Sequence, residues 1–119
     1  MKLPWDSYSI KVRDAQGVTI LDLKGKMVGE QNSEILGERV SQLLAVSKKR
    51  FVLNLKKVRR IDNYGVAALL GAYKLISEKR GKLSLVNPSQ EVKKQLDKIF
   101  LTAFLDVHDN EQEALTRLK

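Results

Sequence analysis

The residues best placed to do chemistry are Asp62, Asn63, Tyr64 and Gly65, which follow the cations Lys56, Lys57, Arg59 and Arg60 and precede a long apolar-striped segment. A carboxylate or amide just ahead of a helix accepts free N–H groups of its first turn, and that turn carries a partial positive charge suited to an anion. Asp62 or Asn63 therefore caps a helix. The basic run beside it offers a further attraction for an anionic ligand or nucleic acid, although it lacks the aromatic residues that stack on bases. Tyr64 would present a flat, amphipathic ring of the kind enriched where proteins dock. Gly65 is a poor helix former and better suits a close approach of two backbones.

Other chemistry is thin. His108 is the single histidine, flanked by Asp106 and Asp109, and is expected to be a surface residue rather than a base. Without cysteine, disulfides and thiolate nucleophiles are excluded, and one histidine does not make a zinc site. The seven glycines form neither a dinucleotide fingerprint nor a P-loop. No catalytic residues, metal or cofactor are expected, and a binding domain is the better reading than an enzyme.

The elements that position residues 62–65 follow from apolar periodicity. Residues 51–55 (FVLNL) are apolar at nearly every position, as in a central strand covered on both faces. Beyond the polar stretch, Val66, Leu69, Leu70, Tyr73 and Ile76 recur at helical spacing until Gly81 stops the helix. Residues 56–65 are read as a loop and the start of that helix. Upstream, residues 8–13 and 18–24 form a hairpin about the turn Asp14-Ala15-Gln16-Gly17, and residues 25–29 leave the sheet. A helix over residues 33–45 starts at an Asn32 or Ser33 cap and buries Leu36, Val40, Leu43 and Leu44. Downstream come a strand at 82–86, a turn and cap at Asn87-Pro88-Ser89, and a helix at 90–100 burying Val92, Leu96, Ile99 and Phe100. An edge strand at 105–108 and a helix from Asn110 through Ala114, Leu115 and Leu118 close the chain.

This pattern predicts an α/β fold, one mixed sheet of about five strands with about four helices, in a single domain over residues 1–119 with residues 1–7 as an arm carrying Trp5. A length of 119 residues and 43% hydrophobic content suffice for one core. The 22 basic against 14 acidic residues give a formal charge of +8, spread in short clusters that read mostly as solvated element ends. No membrane span or signal peptide is evident, so a cytoplasmic protein is expected.

The order of strand, I-D-x-x-G-[LV]-x-x-L-L, helix and G-K-L-x-L-V resembles the STAS domain family, which includes bacterial anti-sigma-factor antagonists and cytoplasmic domains of sulfate transporters. The resemblance runs from VTILDLKGKM at residues 18–27 through residues 50–55, 61–76 and 81–86 to 92–105 and Glu113-Ala114-Leu115. It implies a STAS-like fold and a non-enzymatic regulator that binds an anti-sigma factor, a serine-kinase-like partner, or a related regulator. The surface implied comprises Met27, Arg59, Arg60, Asp62, Asn63, Tyr64, Gly65 and Val66. In the antagonists the turn reads D-S-[ST]-G, and the hydroxyl residue before the glycine is phosphorylated. Here Asn63 and Tyr64 stand at those positions, so no serine-type phosphorylation is expected. Two family acids are also replaced, by Val28 and Asn54. Tyr64→Asp or Gly65→Arg is expected to weaken partner capture while sparing stability. The alternatives are anionic-ligand or nucleic-acid binding through residues 56–60 and, more weakly, a place in a transport complex. Oligomeric state is left open.

Overall fold

In the computed structural model, Gln16 and Gly17 alone make the first turn, both at positive φ (54° and 79°). That geometry matches the twist of the strands it joins, β1 (Ser9–Ala15) and β2 (Val18–Met27), and sets Ala15 opposite Val18 in an antiparallel pair. The structure describes residues 8–99, 101–103 and 105–118. The expected arm with Trp5, and Phe100 of the expected apolar stripe, lie outside the described residues.

After the hairpin the chain alternates helix and strand: α1 (Glu30–Ala45), β3 (Arg50–Ile61), α2 (Asn63–Glu78), β4 (Lys82–Val86), α3 (Gln90–Lys98), a 3-10 turn (Leu101–Ala103), β5 (Asp106–His108) and α4 (Glu111–Leu118). The five strands lie in the order β1-β2-β3-β4-β5, parallel from β2 onward. The mixed sheet of five strands and four helices is the architecture expected from the sequence.

Residues of α1, α2 and α3 meet one face of the sheet, where Leu21, Leu23, Phe51, Leu53, Leu55 and Leu85 are buried with Leu36, Val40, Leu69 and Leu96. On the other face, among the described residues, α4 packs alone, setting Ala114, Leu115 and Leu118 against Val18, Ile20, Val52 and Val86. β3 is thus covered on both sides over its apolar run, as its composition predicts. Ser89 caps α3 by accepting from the Val92 N–H, and Asn110 accepts from Glu113 at the start of α4. Ile99 is exposed rather than buried, because α3 ends at Lys98.

The second face changes character at the start of α4. Arg13 of β1 donates to both oxygens of Asp22 (Nε–Oδ2 2.7 Å, NH2–Oδ1 3.1 Å) and to Glu111 at the start of α4. Asn54 donates to Asp22 Oδ1 at 2.8 Å and accepts the Lys56 N–H at 3.1 Å. The hydrogen bond from Arg13 holds the Asp22 carboxyl below the usual carboxylate range against the opposing effect of burial, with Asn54 adding to it. Because the folded value lies below the unfolded one, this pair stabilises the protein above about pH 3.9 and the contribution is lost as pH falls through the folded value. Asp22→Asn is therefore expected to cost about 1 kcal/mol at neutral pH. In denaturant titrations the difference from wild type should shrink toward zero as the pH is lowered below that of an ordinary aspartate.

Candidate functional site

β3 ends at Ile61 and α2 begins at Asn63, so Asp62 is the single hinge residue between them. Its backbone is extended (φ −114°, ψ −170°) and its Oδ1 accepts the Gly65 N–H at 3.0 Å, making it the helix cap. The second oxygen reaches elsewhere. Asp62 Oδ2 accepts the Gly29 N–H at 2.9 Å, while the Asp62 N–H donates to the Met27 carbonyl at 3.4 Å. One side chain thereby ties the β2–α1 turn to the β3–α2 turn.

Gly65 is buried against this junction. A Cβ there would overlap the Met27 carbonyl oxygen and lie 2.5 Å from Ile61 Cγ1, so only glycine lets the first turn of α2 lie against the end of β2. Met27 and Val66 are buried with it, at 1% and 7% exposure. Of the eight residues singled out from the sequence, these three shape the corner from beneath. Asn63, Tyr64, Arg59 and Arg60 are exposed and Asp62 is half-buried. Tyr64 keeps 51% of its surface exposed, an unusual state for a large ring. Gly65→Arg cannot spare stability as expected from the sequence, since the position has no room for a side chain.

The basic segment at residues 56–60 is strand rather than loop. Val58 and Ile61 are buried three positions apart, and β2 extends to Met27 to pair with them, Gly25 opposite Val58 and Met27 opposite Ile61. Register shifts between Asp22 and Lys24 and between Gly25 and Lys26 absorb the uneven spacing, with Gly25 at φ 106°. Residues 25–27 accordingly stay in the sheet. α1 also starts earlier than its polar residues suggested: Gly29 (φ 84°) precedes Glu30 with no side-chain cap. Asn32 instead donates to the carbonyls of Lys26 and Val28, and Ser33 to that of Glu30. Gly29 and Asn32 thus belong to the corner, where sequence reasoning offers Asn32 only as a helix cap and gives Gly29 no role.

His108 is half-buried rather than on the surface, with Nε2 3.0 Å from Asp106 Oδ1 and Nδ1 3.7 Å from Glu113 Oε2. Ser84 donates to the other oxygen of Asp106. The carboxylate sits between hydroxyl and imidazole, so the Ser84 hydroxyl meets Asp106 rather than His108, and Ser84 is fully buried. Among the described residues no group of three or more His, Asp or Glu could hold a metal ion, and no helix is long and apolar enough to cross a membrane.

The STAS domain family model matches residues 9–114, which includes every strand and the whole corner. This chain belongs to the STAS domain family. An anti-sigma F factor antagonist from Paenibacillus polymyxa is 35% identical over 71 residues, 60% of this chain and 61% of the relative, so the match spans less than two thirds of that protein. Among solved structures, an anti-sigma factor antagonist from Mycobacterium paratuberculosis superposes with a TM-score of 0.84 at 19% identity, covering 99% of this chain and 98% of the other. The Bacillus cell fate determinant SpoIIAA in its phosphorylated form gives 0.70 at 18% identity, covering 95% and 100%. These structures share the fold of this STAS domain.

Two substitutions test the junction. Asp62→Ala removes a cap and a tie between turns and should cost about 2 kcal/mol. Gly65→Ala, which gains about 1 kcal/mol in an open helix, should here destabilise by about 1–3 kcal/mol through overpacking. Urea denaturation monitored by circular dichroism reads both.

Proposed function

We propose that this STAS domain acts without enzymatic chemistry of its own, as an antagonist-like regulator that captures an anti-sigma factor or a related regulatory protein at the β3–α2 corner. The observation that carries this reading is Tyr64, a large amphipathic ring half exposed on a base held rigid by Asp62 and Gly65. A ring presented on a preorganised support loses little freedom on binding, which is what a docking anchor requires. Asn63 beside it and the cations Arg59 and Arg60 extend the surface. The relatives' names as anti-sigma factor antagonists support the same partner class.

The switch differs from that of the family. Neither Asn63 nor Tyr64 offers the short aliphatic hydroxyl that a serine kinase phosphorylates, so the captured partner does not release the domain by modifying this turn. Binding is then set by the abundance of the partners rather than by a phosphate cycle.

Affinity capture from native lysate, with partners identified by mass, should recover a kinase-like anti-sigma factor with the wild-type domain. Tyr64→Asp should reduce that recovery at least tenfold while changing stability by less than about 0.5 kcal/mol, as for other exposed positions. Equal recovery by both proteins would remove the surface. Incubation of the complex with ATP should leave residues 62–65 without phosphate by mass spectrometry, and a phosphate mapped there would overturn the constitutive reading.

A further inference from the structure

β3 is longer than its neighbour on one side. β4 pairs with it only from Arg50 to Asn54, whereas β2 pairs with it as far as Ile61. Beyond Asn54, whose side chain takes up the Lys56 N–H, the flank of β3 away from β2 has no strand partner among the described residues. α3 packs its Val92 and Leu96 on the helical face of the sheet with Leu55 and Val58. The other positions of this segment, Lys56, Lys57, Arg59 and Arg60, are all exposed.

Charge is one-sided along this segment. Lys56, Lys57 and Arg60 make no ion pair among the described residues, and the neighbouring β2 segment adds Lys24 and Lys26. Two carboxylates of the adjoining strand and turn are committed elsewhere, Asp62 to Gly65 and Gly29, and Asp22 to Arg13. Cations along an open edge repel a second copy of the same edge and attract a strand that carries carboxylates.

We propose that the flank of β3 away from β2, at residues 56–60, is a strand-addition site for an extended acidic segment of the partner protein. Main-chain hydrogen bonds would supply affinity, and glutamate or aspartate at alternate positions would meet Lys56, Lys57 and Arg60. The inference deepens the corner reading and rests on it, since the flank runs directly into Asp62 and Tyr64. A segment laid along β3 reaches the corner where the body of the partner docks. Nucleic acid is disfavoured because no aromatic side chain lies in residues 55–61 to stack on a base.

The test uses the isotopically labelled full chain and a synthetic octapeptide of alternating glutamate and valine. Amide resonances of residues 56–60 should shift and their hydrogen exchange should slow at least tenfold on saturation. N-methylating alternate peptide amides keeps the charge but removes main-chain donors, and should weaken binding at least tenfold. The double variant Lys57→Glu/Arg60→Glu should do the same. Absence of perturbation at residues 56–60, equal binding of the N-methylated peptide, or equal perturbation by oligothymidylate at the same ionic strength would each overturn the proposal. Because the titration contains no partner, its failure leaves the Tyr64 corner standing, while undiminished capture by Tyr64→Asp, read in a separate experiment, would refute the corner and with it the identity of the strand's donor.

Discussion

The molecule depends on one carboxylate that answers two helix starts at once. Each oxygen of Asp62 accepts an N–H from a different turn, Gly65 at the head of α2 and Gly29 at the head of α1. Two segments more than thirty residues apart in sequence are therefore fixed as one unit. The arrangement works only because Gly65 leaves space for the Met27 carbonyl. A cap alone would hold α2 to its own strand; the second bond fixes its position relative to β2 and α1. Tyr64 can then be exposed without being loose, since the backbone beneath it is buried and bonded on both sides.

The sequence was most readable where one physical effect dominated. The apolar run at residues 51–55 and the strand Lys82–Val86 were evident because burial on both faces leaves few polar positions. A cap at Asp62 or Asn63, and one at Ser89, were evident because a side-chain acceptor ahead of an apolar stripe has one obvious use, and the structure selects Asp62. The extension of β3 was hidden because four cations among residues 56–60 look like a turn, and the two buried residues that reveal a strand, Val58 and Ile61, are three apart rather than two. That spacing makes sense only with the register shifts of β2, which are a property of the pair. The start of α1 was hidden for another reason: it has no side-chain cap, and Asn32, which looks like one, serves carbonyls of the preceding strand and turn.

The end of α2 shows how a correct expectation can rest on an incomplete reason. The helix stops at the Gly81 boundary, but Arg80 adopts the left-handed conformation (φ 60°), and the N–H groups of Arg80 and Gly81 close back on Ser77 and Ile76. Gly81 is required instead for proximity, since a Cβ would lie 2.5 Å from the Lys49 carbonyl oxygen. Both sharply constrained glycines, 65 and 81, thus sit where a helix end presses on a neighbouring backbone. Position in the packing, more than local φ, decides why they are glycine.

The sheet is assembled in the order in which its strands occur along the chain. Each new strand needs only an edge already laid down by its predecessor, so loop closures stay short and the chain can build outward from the hairpin as it emerges during synthesis. Helix α4, which follows all five strands along the chain, is the one that seals the second face over Val18, Ile20, Val52 and Val86. Until it docks, a nascent chain carries a five-stranded sheet with one oily side bare, and the interval before α4 arrives is one in which the molecule is open to aggregation.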